Sequence, residues 1–94
     1  MLIQTPPVEY AFINTAGTVV CKTTPGRLVS IIFTATTTFT AIVYDGNPLT
    51  GKTISSIALA AADNQVGQFN YACTFRQSLT IVTTGSPTLT VIFE

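Results

Sequence analysis

The chain contains no histidine and no tryptophan, and only 9% of its residues are charged. Without histidine, the usual neutral-pH acid or base, the commonest metal ligand and the ordinary serine or cysteine triad are all missing. The acids are Glu9, Asp45, Asp63 and Glu94, the bases Lys22, Arg27, Lys52 and Arg76, and the net charge is zero. So sparse and scattered a set creates no field to steer DNA, RNA or anionic lipid, so neither a nucleic acid nor a membrane is expected as partner. It also leaves no acid pair that a rigid element would hold, and the chain is not expected to be an enzyme. Cys21 and Cys73 are too few for a disulfide framework and stand outside any CxxC spacing, so they read as small buried hydrophobes.

Long apolar runs are lacking too. The longest, residues 57–62, is far short of the ~20 residues that cross a bilayer. The opening seven residues, Met1 to Pro7, carry neither the basic residue nor the apolar run of a secretory leader, so synthesis and retention in the cytoplasm are expected. No glycine-rich run opens onto a helical pattern, which removes a phosphate-binding loop. Asp45 and Asn47 are the least implausible calcium ligands, yet two side chains fall far below the roughly six to eight oxygens such a site needs. No metal and no cofactor are expected. Asp45 and Asp63 sit among turn formers, where aspartate commonly accepts hydrogen bonds from nearby backbone N–H groups.

What the chain does contain is apolar and threonine-rich. Hydrophobic residues make up 47% of its 94 positions, enough for one domain over residues 1–94. Threonine suits a pleated sheet through its branched Cβ and hydrates an outward face without charge. Faces of that kind dry readily when another protein docks, and the exterior is expected to be hidden against copies of the chain or against a larger lattice.

Short β-branched runs punctuated by Gly, Pro, Asn and Asp recur about every ten residues, the pattern of an all-β sandwich or barrel. Residues 1–15 read as an extended N-terminal arm or edge, because Pro6 and Pro7 deny a sheet its donors. Strands are predicted over 18–22, 28–35, 39–44, 53–59, 68–73, 79–83 and 89–93. Thr24-Pro25-Gly26-Arg27 reads as a type II turn with glycine at positive φ. The 28–35 segment is apolar on both faces, Val29, Ile31 and Phe33 against Leu28 and Ile32, and is expected to be covered on both. The 45–51 segment reads as a hairpin loop, 58–65 as a loop, and 79–93 as a closing hairpin around Thr84-Gly85-Ser86-Pro87. The aromatics Tyr10, Phe12, Phe33, Phe39, Tyr44, Phe69, Tyr71, Phe75 and Phe93 fall mostly at positions expected to face inward.

Several of these signatures occur in a familiar order. The Pro25-Gly26-Arg27-Leu28 turn, the Tyr44-Asp45-Gly46 strand end with Gly51-Lys52 beyond it, and the closing Leu79-Thr80-Ile81-Val82-Thr83-Thr84-Gly85 run together resemble small virion proteins of tailed bacteriophages, of the capsid decoration or cement type. The resemblance spans residues 17–94. It implies an antiparallel β-sandwich, jelly-roll-like, that forms homo-oligomers, typically trimers, and clamps major capsid subunits in a virion assembled in the bacterial cytoplasm. A tail, baseplate or fibre-attachment component is an alternative within the virion. A carbohydrate-binding, lectin-like module using Tyr44, Asn47, Asn64 and Gln65 is an alternative outside it. The expected contact residues are Thr5, Pro6, Pro7 and Val8 of the arm, and Asp45, Asn47, Pro48 and Leu49 of the 45–51 loop.

Overall fold

Apolar residues at alternate positions give each strand one face that must leave water, and two sheets can satisfy that need for each other. The computed structural model describes residues 8–35, 38–59 and 65–94, and among them the chain forms eight strands and no helix. The strands are β1 (Glu9–Ile13), β2 (Gly17–Lys22), β3 (Gly26–Ala35), β4 (Phe39–Asp45), β5 (Lys52–Leu59), β6 (Gln65–Phe75), β7 (Leu79–Gly85) and β8 (Leu89–Phe93). They build two four-stranded sheets, in the orders β1-β8-β3-β6 and β2-β7-β4-β5, antiparallel at every pairing. Among the described residues no helix is long and apolar enough to cross a membrane.

The core lies between the sheets. Ile13, Leu28, Ile31, Phe33, Leu89, Val91 and Phe93 come from one sheet, and Phe39, Ala41, Val43, Ile57, Leu79 and Ile81 from the other. The expected alternation of Phe39, Ala41 and Val43 is present, and all three are buried. At one side of the sandwich the Tyr71 hydroxyl of β6 donates to Ser55 Oγ of β5 at 2.8 Å, joining the two sheets' edge strands. Near the β1–β2 turn, buried Thr83 Oγ1 accepts from Gly17 N at 3.2 Å and donates to Thr15 O at 3.3 Å.

Several sequence expectations change in the folded chain. Of the two readings of the N-terminal segment, arm or edge, residues 9–13 take the second and form the edge strand β1, laddered on β8 through five consecutive pairs. The run 79–93 is not a hairpin, because β7 pairs with β2 and β4 whereas β8 pairs with β1 and β3. The two strands still share a core, but they face each other across it. The turn between them is held from outside: Ser86 N donates to Thr38 O, Gly85 sits at φ +81°, and buried Pro87 has no N–H for a ladder. Only β4 and β5 are consecutive strands paired within one sheet.

In β3 a register shift between Leu28 and Ser30 changes the phase, so Leu28 joins Ile31 and Phe33 on the inner face. A bulge moves side chains from one face to the other in this way. Opposite it, Ala72 of β6 takes a positive φ of 51°. The outer face of β3 is not covered as expected, and Ile32 remains 37% exposed.

Gly26 is not the positive-φ turn residue either. It starts β3 in ordinary strand conformation, and its requirement is space: a Cβ there would run into the Glu94 carbonyl and stand 2.9 Å from the Phe75 ring. Both are tied down, the former by the Arg27 N to Glu94 O bond of 2.9 Å. Gly26→Ala is therefore expected to lower stability by about 1–3 kcal/mol through overpacking, read as a lower urea midpoint at unchanged slope. An unchanged midpoint would show that this strand end has slack.

Candidate functional site

The 45–51 loop begins where β4 loses its partners, and Asp45 decides its course. Asp45 Oδ2 accepts from Arg76 N and Oδ1 from Gln77 N, both at 2.9 Å, and Gly46 N donates to Ser78 O at 3.0 Å. Asp45 thus has the backbone-accepting role expected of it, but toward the β6–β7 connection about thirty residues away and not toward its own turn. Some desolvation raises the affinity of its carboxyl for a proton. The backbone N–H groups of Arg76, Gln77 and Ser78 and the Arg76 charge outweigh that and hold the carboxyl below its usual range. Gly46 follows at φ +104°, which favours glycine.

Beyond Gly46 the loop closes on Asn47. Its Oδ1 accepts from Leu49 N at 2.8 Å and its carbonyl accepts from Thr50 N at 3.1 Å, leaving Leu49 at the tip, 91% exposed. Between this loop and the outer face of the β2-β7 pair lies an open cavity of about 310 Å³. Its wall carries the hydroxyl residues Thr18, Thr23, Ser78 and Thr80, the amide of Asn47, and apolar Val20 and Pro48. None of these side chains is ionisable, so the cavity offers hydrogen bonds and apolar contact but no group to move a proton. Among the described residues no cluster of His, Cys, Asp or Glu could hold a metal.

A second surface covers the outer face of the β1-β8-β3-β6 sheet. Register places Tyr10, Ile92, Ser30 and Asn70 in one row across the four strands, and Phe12, Thr90, Ile32 and Gln68 in the next. Tyr10 is 74% and Phe12 58% exposed, and Val8, just before β1, is exposed as well. These aromatics face outward, contrary to the inward placement expected of them. The inner face of the same sheet takes Phe33 and Phe69, stacked at 5.1 Å. The outer face is almost free of charge; its nearest ion pair is Arg27 Nε with Glu94 Oε1 at 3.2 Å, at the strand ends.

Of the expected contact residues, Thr5, Pro6 and Pro7 lie outside the described residues. Val8 enters β1 at the end of the sandwich where β4 hands over to β5, so Val8 and the 45–51 loop share that end, on different sheets. Asp45 and Gly46 are structural, Asn47 and Pro48 line the cavity, and Leu49 projects from it. Tyr44 is half-buried in the outer row with Thr80, while Asn64 and the side chain of Gln65 lie outside the described residues. Tyr10, Phe12, Ile32 and Ile92 were absent from the sequence-based set. The Tyr10/Phe12 alternation was visible there, but Ala11 and Ile13 make the other phase apolar too beyond Glu9. Cys21 and Cys73 are free thiols, and burial pushes the Cys21 thiol up to about 11, which keeps it protonated and unreactive at neutral pH.

Because the folded Asp45 carboxyl is held below its unfolded value, the stability it supplies is full above the ordinary aspartate range, roughly pH 4, and is lost as pH falls through the folded value. Asp45→Ala is expected to cost about 1 kcal/mol at pH 7, a modest figure for charge-assisted bonds at an exposed site. The difference in urea midpoint from the parent should shrink on acidification below pH 4. A gap that stays constant with pH would show that the charge on Asp45 is not what fastens the two loops.

Comparison with protein-family models, with curated proteins and with solved structures finds no match for this chain.

Proposed function

We propose that this chain is a non-enzymatic structural module that decorates a tailed-phage capsid, docking on major capsid subunits as a homo-oligomer. The observation that carries the reading is the outer face of the β1-β8-β3-β6 sheet, where Tyr10, Phe12, Ile32 and Ile92 form a nearly uncharged apolar surface on a chain with few charges anywhere. Contiguous exposed apolar area of this kind marks a contact surface in a folded protein. The strand orders β1-β8-β3-β6 and β2-β7-β4-β5, with connections that pass between the sheets everywhere except β4–β5, support reading the sandwich as a jelly roll. That architecture serves viral capsid proteins and lectins alike. Docking would gain roughly 25 cal/mol for each Å² of apolar surface removed from water, and a shell repeats the gain at every copy.

The lectin-like reading is second, and the hydroxyl- and amide-lined cavity beside Asn47 favours it. Uncharged polar groups around a small apolar floor suit a sugar, and a glycan array tests that reading separately.

The decoration reading is tested by co-sedimentation with particles lacking their decoration. The parent protein is expected to pellet with shells. Ile32→Asp, which sets a charge in the middle of the proposed contact, should weaken binding at least tenfold, with far-UV circular dichroism unchanged. A parent protein that stays in the supernatant at all ratios would overturn the reading.

A further inference from the structure

Among the described residues, four strands of the sandwich have an open edge: β1 and β6 in one sheet, β2 and β5 in the other. An open edge presents a row of unpaired N–H and C=O groups and invites another strand, so folded chains disrupt their edges with bulges, charges or twists. Three of these edges carry such a disruption. The β2 ladder shifts register between Val20 and Lys22, the β5 ladder shifts where Val43 gives way to Tyr44 on its partner, and the β6 ladder shifts at Ala72, whose φ is positive. β2 and β5 also place Lys22 and Lys52 on the strand.

β1 is different. Its ladder to β8 runs from Glu9↔Phe93 to Ile13↔Leu89 without a shift, it contains neither proline nor glycine, and its outward side chains are Tyr10 and Phe12. Its one charge, Glu9, stands at the first position. What separates β1 from the other three edges is the unbroken ladder beside exposed aromatics, and a regular, exposed edge of this kind is the one that pairs.

We infer that β1 pairs edge to edge with β1 of a second copy of this chain, antiparallel about a two-fold axis at Ala11, joining two four-stranded sheets into one of eight strands. The segment is complementary to itself in that direction. Tyr10 lies opposite Phe12 of the other copy, Ala11 opposite Ala11, and Glu9 opposite Ile13. The two carboxylates are then at opposite ends of the seam, whereas parallel pairing would set them side by side. Directly opposed residues stand about 4.5–5.5 Å apart at Cβ, close enough for the two Tyr–Phe pairs to pack on the outer face. The contact is isologous and closes at two copies. It also merges the two apolar outer faces into one continuous surface. The inference does not depend on what that surface meets, so it can hold or fail independently of the capsid reading.

The test is solution mass by light scattering over a dilution series, together with cross-linking. The parent protein is expected to approach twice the 10.0 kDa chain mass on concentration. The double variant Y10K/F12K, which brings ammonium groups face to face across the axis, should stay at the mass of one chain. Its circular dichroism should be near the parent's, and its urea midpoint near the parent's at dilutions where the parent is also one chain, because both side chains are exposed. Asn70→Lys, on the same face at the far edge, should leave the doubled mass intact. Register is read independently: under mild oxidation, a mixture of Y10C and F12C chains should form mixed disulfide dimers faster than either forms dimers alone. A parent protein of one chain at every concentration, a mass of three chains, a Y10K/F12K variant that keeps the doubled mass, or Y10C self-linking faster than the mixture would each overturn the inference.

Discussion

Everything in this molecule depends on two sheets burying their inner faces against each other. The chain passes from one sheet to the other at every connection except β4–β5, so neither sheet can be completed before its partner. Leu28, Ile31 and Val91 on one side and Ala41, Val43 and Ile81 on the other are fully buried only while the opposing sheet is in place. The polar bonds found away from the ladders work at the margins of that packing. Tyr71 to Ser55 joins the sheets along one side, Thr83 fixes the β1–β2 turn, and Asp45 fastens the β4–β5 loop to the β6–β7 connection. Each holds a loop or an edge so that the core stays closed.

A two-layer sandwich of this size spends its apolar strand faces unevenly. One face of each sheet goes to the core, and whatever apolar residues remain lie outside. In the β2-β7-β4-β5 sheet the outer rows are diluted with threonine, as in the bond between the Thr40 and Thr84 hydroxyls. In the β1-β8-β3-β6 sheet the outer rows carry Ser30, Asn70, Thr90 and Gln68 as well, but their apolar members include the exposed Tyr10, Phe12 and Ile32, with exposed Val8 just before β1. The low charge visible in the sequence therefore has a place in the fold. The outer rows of both sheets lack charge, and only the β1-β8-β3-β6 face adds the exposed aromatics Tyr10 and Phe12.

Seven of the eight strands, all but β1, were legible in the sequence because period-two alternation and turn residues report local structure. Phe39, Ala41 and Val43 face inward as their spacing says, and the 45–51 loop is a hairpin loop built on Asn47. What was not legible is which strand lies beside which. Leu79 and Ile81 with Leu89, Val91 and Phe93 carry the same alternation whether they pair in one sheet or face each other across a core. Only contacts distant in sequence tell the two apart, the ladders of β7 to β2 and β4, those of β8 to β1 and β3, and the bond from Ser86 to Thr38. Strict alternation in β3 separates Leu28 from Ile31 and Phe33, whereas one bulge between Leu28 and Ser30 exchanges faces and leaves no mark in the residue pattern. Asp45 was seen as a backbone acceptor, but its partners at Arg76 and Gln77 could not be read from its own turn. The apolar outer face escaped because Tyr10 and Phe12 alternate with Ala11 and Ile13, and either pair could have been the buried one.

As proposed, another chain completes the β1 edge of the β1-β8-β3-β6 sheet. Amide hydrogen exchange compares its two edges directly, with β5 of the other sheet as an internal reference. On going from dilute to concentrated protein, the backbone amides of β1 should become more slowly exchanging while those of β5 and β6 keep their rates. Equal exchange of β1 at both concentrations would contradict the account.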